Sequence, residues 1–310
     1  MNETKAIEKT HFSILMANYN NAAYIEESIR SVLNQSYPFW ELIIVDDKSS
    51  DDSIEVINHF LNNERIKLVK HKENAGYGAT LQTAVTISNN DILCILDSDD
   101  VLHKLALETI AKAYDDYPKF GFIYSTMWRC NHVLKNCEID KSIRAIDVKK
   151  GNWLMNPPIS HFKTFKKEIY LKTKGFERFQ KKAVDKDIFY KLSEVTDFKF
   201  INTPLYYYRE HLRGISQGKN KLNAKFYTHM TKYNAYQRRL NTNLPNFEYN
   251  ELKFLYYCNI VFFDLIRFFI SIFFKLKIDL FIERLIRRIP LPVFKTKITD
   301  VKNKYVDIFG

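Results

Sequence analysis

The chain has 310 residues, of which 46% are hydrophobic and 27% charged, a balance that suits a packed globular core and excludes wholesale disorder. Eight Gly and eight Pro exclude collagen-like and low-complexity architectures. The net charge of +11 favours polyanionic or membrane-surface partners and carries no information about fold.

The N-terminal MNETKAIEK is charged and has no apolar run, so no Sec-type signal peptide is expected and the protein reads as cytoplasmic. Phe12–Ala17 is then a short apolar run that predicts a buried strand, closed by the Asn18–Asn21 turn. Tyr24, Ile25, Ser28, Ile29, Val32 and Leu33 fall at helical spacing, with Pro38 beyond the helix end. Leu42–Val45 is a second strand, ending in Asp46-Asp47, and Asp51-Asp52-Ser53 offers a cap for a helix carrying Ile54, Ile57 and Leu61. Ile66–Val69 predicts a third strand and Gly76–Ser88 a third helix. Ile92–Leu96 is a fourth strand, ending in Asp97-Ser98-Asp99-Asp100. Leu102–Tyr117 reads as a helix and Phe120–Tyr124 as a further strand.

Wholly apolar strands separated by helices predict an α/β fold, a Rossmann-like, mostly parallel sheet flanked by helices. Ligands of such sheets bind beyond the carboxyl ends of the strands. Asn18–Asn20, Asp46-Asp47 and Asp97–Asp100 all follow strands, so three polar clusters are expected on one sheet edge. Two carboxylates at i and i+2 on a strand-exit turn, Asp97 and Asp99, can reach one hard cation such as Mg²⁺ or Mn²⁺. The plainer reading of such a D-x-D is an Asx-turn or helix cap, and the second acidic cluster at Asp46-Asp47 is what raises the first.

Beyond residue 150 the alternation is less regular. Lys167–Lys174 predicts a short helix ending at Gly175, Asp185–Val195 another, and Phe198–Ile201 a strand before Pro204. The domain reading is 1–215 for the α/β part and 216–310 for a helical C-terminal appendage. Within that appendage Phe254–Phe274 is rich in Phe, Tyr, Ile and Leu but is broken by Asp264 and Arg267, which fails the test for a spanning helix of ~20 uncharged residues. Glu251–Lys297 holds nine Lys/Arg against four Asp/Glu, and an interfacial helix on an anionic leaflet is expected. The four cysteines, Cys94, Cys130, Cys137 and Cys258, form no CxxC pair, and a reducing compartment is the simpler inference. No nucleic-acid-binding module is recognisable, so nucleic acid is not an expected partner.

Ser13–Ser53, SILMANYNNAAYIEESIRSVLNQSYPFWELIIVDDKSSDDS, resembles the N-terminal block of the family 2 glycosyltransferases: an apolar strand, an x-Y-N turn, a helix ending in Q-x-Y, then E-[IL]-I-[IV]-V-D-D-x-S. Glu73-Asn74-Ala75-Gly76 is similar to that family's E-N-x-G turn, and Ile95–Asp100 to its metal-binding D-x-D segment. The resemblance extends over roughly Phe12 to Ser216. It implies an inverting transferase of the glycosyltransferase-A type, of the kind that builds bacterial surface polysaccharide, with a nucleotide-sugar donor (a UDP-sugar by family frequency) and Mn²⁺ or Mg²⁺ as cofactor.

The resemblance also assigns roles. Ala17, Asn18 and Tyr19 would line the nucleotide pocket, with Asp46 or Asp47 on the base and the Asn74–Gly76 turn near base and ribose. Asp97 would sit by ribose and metal, Asp99 would be the principal metal ligand, and His211 of the Tyr208-Arg209-Glu210-His211 segment would complete the shell. Arg209 would contact the pyrophosphate, His161 the acceptor. Asp185 matches the family's catalytic base, although Val184 stands where a Glu is usual, and Asp187 is the alternative. Lys48 replaces the usual Gly of V-D-D-G-S. Tyr206–Tyr208 and Trp153 read either as sugar-stacking platforms or as core. The acceptor implied is a hydroxyl of a growing, lipid-linked glycan, which would place the protein peripherally at the inner face of the cell membrane. The competing reading is a non-catalytic sugar-nucleotide-binding or scaffold subunit.

Overall fold

The fold was analysed in a computed structural model that describes residues 9–180, 182–211, 221–249, 258 and 262. The chain divides into two compact units, Met1–Tyr257 and Cys258–Gly310, and every element named below lies in the first. Elements follow in chain order as β1 (Phe12–Asn18), α1 (Ile25–Leu33), β2 (Trp40–Asp46), α2 (Ser53–Asn58), β3 (Ile66–Lys70), α3 (Tyr77–Ile87) and β4 (Ile92–Ile95). Next come β5 (Val101–Leu102), α4 (Ala106–Asp116), β6 (Phe122–Cys130), β7 (Glu138–Ile139), β8 (Lys163–Lys166), α5 (Lys167–Leu171), α6 (Val184–Leu192), β9 (Phe198–Arg209) and α7 (Lys221–Arg239).

The sheet runs β3-β2-β1-β4-β8-β6-β9-β5, with β7 on β6. β1 pairs parallel with β2 and β4, and β2 with β3, which is the architecture expected from the apolar runs. β1, β2 and β4 expose almost nothing, as strands covered on both faces do, while β3 at the sheet edge is largely half-exposed. The order reverses at β1, which has β2 on one side and β4 on the other. The crevice at that switch point lies beyond Asn18 and Leu96, where the polar clusters were expected. α1 docks through Ile25, Ile29 and Val32, all fully buried at helical spacing. Each such side chain contributes about 1.5–3 kcal/mol by burial.

Several elements depart from expectation. Leu102 is not helical: Val101–Leu102 pairs antiparallel with Tyr206–Tyr207, and α4 starts only at Ala106. β9 does not stop before Pro204 but passes through it, at a break in the β6–β9 register where no ladder N–H is needed. β8 was not foreseen, because Lys-Thr-Phe-Lys does not read as a buried strand. It is inserted antiparallel between β4 and β6 with Lys163 and Thr164 almost wholly inaccessible. Cys130 and Cys137 are joined by a disulfide that closes the Asn131–Asn136 turn, so cysteine usage no longer argues for a reducing compartment. Cys94 is free and buried. α7 packs on α6: Arg238 pairs with Glu194 at 2.9 Å, and Arg239 Nη2 donates to Ser193 Oγ at 2.7 Å. Among the described residues no helix is long and apolar enough to cross a membrane. The expected interfacial helix at 254–274 lies, but for Cys258 and Phe262, outside the described residues.

Candidate active site

The first polar cluster is built from the ends of β1 and β2. Asn18 is buried and its Nδ2 donates to Asp46 Oδ2 (2.8 Å); Asp46 also accepts from Ser49 N (2.9 Å) and Ser49 Oγ (2.6 Å). The Asn18 Oδ1 is buried with no hydrogen-bond partner among the described residues. Ala17 is half-buried beside it, and Tyr19 is 50% exposed at the mouth. Lys48, at the position where glycine would be at ease, holds φ at 65°.

Asp47 does a different job from Asp46. Its carboxylate accepts from the backbone N–H of Ala75 (2.8 Å) and Gly76 (2.7 Å), and His71 Nδ1 lies 2.8 Å away. Asn74 Nδ2 donates to the Asp47 carbonyl at 3.2 Å. Asp47 therefore ties the Asn74–Gly76 turn to the sheet. Gly76 has φ +88°, a conformation that needs glycine, and it delivers the chain into α3. The first residue of that helix, Tyr77, donates its hydroxyl to Asp97 Oδ1 at 2.6 Å.

The acidic turn after β4 is held from β9 and α1. Asp100 is buried and spends both oxygens, on Arg209 N (2.7 Å) and the Tyr206 hydroxyl (2.8 Å). The same Tyr206 hydroxyl accepts from Asp97 N. Ser28 Oγ donates to the carbonyl oxygens of Ser98 and Asp100. Arg209 donates to the Asp99 carbonyl (2.7 Å), the His132 carbonyl (2.7 Å) and Glu27 Oε2, with its guanidinium 4.6 Å over the Tyr24 ring. Here Arg209 braces the turn that carries the carboxylates. His211 Nε2 lies 2.9 Å from Asp99 Oδ2, and His161 Nε2 lies 3.6 Å from Asp97 Oδ2. His161 stacks on Tyr206 at 4.4 Å between ring centroids. Tyr206 and Trp153 are core side chains; Trp153 stacks on Tyr190.

The two candidate base residues go to different places. Asp185 is 35% exposed at the start of α6 and its Oδ2 is 3.1 Å from Lys163 Nζ, which is 1% exposed. Asp187 is buried on the other side, 2.6 Å from Lys191 Nζ and 4.0 Å from Arg238. Sequence reasoning missed Lys163, Tyr77 and Glu27; of the two readings it left open for Tyr206, core is the one the structure bears out. For Lys163 the one signal was its place two positions after His161.

The electrostatics follow from crowding. Burial pushes the Asp97 carboxyl up to about 6, with Lys163 opposing and Asp99 adding to the rise. Asp100 is driven well above the usual carboxylate range by burial and then by Asp99 and Asp97. Burial would also raise Asp185, but Lys163, with Lys186 and His161, outweighs it and holds that carboxyl well below the usual range. Burial and the adjacent Lys163 keep the His161 imidazole neutral at pH 7.

Asp97, Asp100 and His161 offer ligand atoms within 4.8 Å of one another. Asp100 spends both oxygens on Arg209 and Tyr206, whereas Asp97 and Asp99 each have one oxygen engaged by a side chain, Asp97 Oδ1 by Tyr77 and Asp99 Oδ2 by His211; Asp99 and His211 lie outside the three-residue cluster. Carboxylate oxygens with an imidazole nitrogen suit Mn²⁺ or Mg²⁺, and a cation here would offset both the burial and the Asp99 charge that raise Asp97. The residues fit the metal.

Residues 13–174 match the family described as Glycosyl transferase family 2. The chain is similar to a chondroitin synthase of Escherichia coli, 30% identical over 255 residues, which is 79% of this chain and 35% of that protein. It thus spans about a third of that relative's length. Among solved structures, the fold resembles TarS of S. aureus (residues 1–349, in complex with UDP-GlcNAc), with a TM-score of 0.64 and 18% identity over 76% of this chain and 68% of that one. It also resembles the mannosyltransferase PcManGT from Pyrobaculum calidifontis in complex with GDP-Man and Mn²⁺, with a TM-score of 0.55 and 16% identity over 77% of this chain and 67% of that one.

Proposed function

Because the chain belongs to glycosyl transferase family 2, we propose that it is an inverting, metal-dependent enzyme that moves a sugar from a UDP-sugar to a hydroxyl of a growing glycan. One observation carries this reading: Asp97 and Asp99 stand on the turn after β4, with His211 on Asp99 and Asp185, at the start of α6, near enough to act on the Asp97 charge. Residues 1–215 contain every group this chemistry uses.

Asp97, Asp99 and His211 would hold Mn²⁺ or Mg²⁺, which when bound neutralises the charge developing on a diphosphate leaving group. The chain's own residues supply the rest. Asn18, Tyr19 and Asp46 bind the nucleoside at the β1–β2 edge, and Asp47 orders the Asn74–Gly76 turn against it. Asp185 accepts the proton of the acceptor hydroxyl as that oxygen bonds to the anomeric carbon. The bond from that carbon to the diphosphate breaks on the opposite face, its electron pair leaving with the nucleoside diphosphate. Inversion follows from this single displacement.

The solved complexes with UDP-GlcNAc and with GDP-Man and Mn²⁺ support a nucleotide-sugar donor and a divalent ion. The chondroitin synthase supports a polysaccharide product. The test is nucleoside-diphosphate release from a panel of nucleotide sugars with Mn²⁺, Mg²⁺ or EDTA. Release should require the metal and be lost in Asp99→Ala; release that persists in EDTA, or donor binding that survives Asp99→Ala with Mn²⁺ present, would refute it.

A lipid-linked acceptor and a peripheral place at the inner membrane face rest on the basic, Phe-rich composition of residues 251–297. Vesicles of phosphatidylglycerol should pellet the full chain and not a chain ending at Asn250. Equal pelleting of both would overturn this placement.

A further inference from the structure

Lys163 is the costly residue of this site. A lysine ammonium that is 1% exposed loses several kcal/mol of hydration, which its ion pair must offset. A methionine on the same strand would fill the space with no such cost, and exchanging buried ion pairs for apolar side chains is often neutral or stabilising. Its single hydrogen-bonding partner among the described residues is Asp185 Oδ2, at 3.1 Å. Its charge also acts on Asp97 and His161. β8 fixes where that charge stands. Lys163 pairs in register with Ile95 of β4 and Tyr124 of β6, one strand from the acidic turn and buried between the two neighbours.

We propose that Lys163 is a positioning residue for the transfer, holding Asp185 by its Oδ2 so that Oδ1 is left to receive the acceptor proton. The role rests on the reading of Asp185 as the base. Val184 stands where the family pattern has a Glu, and its side chain is buried, so α6 brings one carboxylate to the site rather than two. Burial favours the protonated form of that lone carboxylate, and the Lys163 charge is the largest effect opposing it. Lys163 is the described side-chain cation hydrogen-bonded to it. During transfer Lys163 neither gives nor takes a proton: the acceptor proton ends on Asp185, and the ammonium stays charged beside Asp97.

The test compares wild type with Lys163→Met, Lys163→Arg, Asp185→Asn and the Lys163→Met/Asp185→Asn double variant. Each is assayed for nucleoside-diphosphate release from a nucleotide sugar that the wild type turns over, for UDP binding with Mn²⁺, and for unfolding temperature. Lys163→Met should lower kcat by about tenfold or more, with donor KM and UDP affinity within about twofold. Lys163→Arg should restore most of the rate. The double variant should be no slower than Asp185→Asn alone, because Lys163 acts through Asp185. Lys163→Gln replaces Lys163→Met if the latter does not fold. An unchanged rate, a loss confined to KM or UDP affinity, or an independent loss on top of Asp185→Asn each overturns the role. No release by the wild type from any donor overturns the glycosyl-transfer reading itself.

Discussion

Replacing Asp47 with alanine removes a carboxylate that is 3% exposed and accepts two backbone hydrogen bonds, from Ala75 and Gly76, in addition to its contact with His71. Hydrogen bonds to a charged acceptor contribute about 1.5–3 kcal/mol each. The Ala75 side of the turn is open to solvent, so its N–H is rehydrated and part of that loss is recovered. The net cost is then about 2–4 kcal/mol. For a unit of this size each kcal/mol lowers the melting temperature by about 2–4 °C, so a fall of roughly 5–15 °C is expected by calorimetry. The same change frees the turn that sets the start of α3, and with it the Tyr77 hydroxyl that bonds Asp97. UDP affinity with Mn²⁺ should therefore fall alongside stability. A variant with wild-type melting temperature and wild-type UDP affinity would refute the view that Asp47 works by tying the turn rather than by touching the base.

Asp187→Ala breaks a buried pair with Lys191 and should cost about 3–5 kcal/mol of stability. Asp185→Asn should fold normally and lose turnover about 10²-fold; the reverse pattern, measured by unfolding and by nucleoside-diphosphate release, would exchange their roles. Glu41 is mostly buried; burial raises its pKa, but the hydrogen bonds from Lys67 and Ser13 outweigh it and leave the group below its ordinary value. A depressed folded-state pKa means that its contribution is complete above the unfolded value near 4.5 and lost as pH falls through the folded one. Glu41→Gln should thus be less stable than wild type at pH 7, and the gap should narrow on acidification below pH 4.5; a gap that stays constant would show that the charge is not what stabilises.

The shared edge of the strand-exit polar clusters was legible because two signals coincide there. Apolar runs such as Leu42–Val45 and Ile92–Ile95 need burial on both faces, which forces a covered parallel sheet, and the acidic residues that end them must then share an edge. Separating the roles of Asp46 and Asp47 was beyond the sequence. Both end β2, and only the path of the 71–76 turn shows which one faces inward. The acceptor half was less legible because it is assembled from distant partners. Tyr206 reaches Asp97 across 109 residues and Lys163 reaches Asp185 across 22. Lys-Thr-Phe-Lys resembles a surface strand, and its burial follows only from its place between β4 and β6. Leu102 was read as helical because its apolar neighbours continue the spacing of α4, whereas its pairing with Tyr206 decides otherwise.

The reversed direction of β8 has an architectural consequence. In a parallel sheet only the trailing ends of strands reach the ligand edge, so what precedes a strand lies on the far side. An antiparallel insertion inverts that polarity: the leading end of β8, with His161 and Lys163, is the part beside the acidic turn. The thirty residues from Asn131 to Ser160 therefore enter this edge head-first, whereas Asn18, Asp46 and Asp97 leave it from the trailing ends of β1, β2 and β4. That edge is thus assembled from segments that enter it in opposite directions, and the 131–160 segment is coupled to the acidic turn itself, because Arg209 donates to both the His132 and the Asp99 carbonyl.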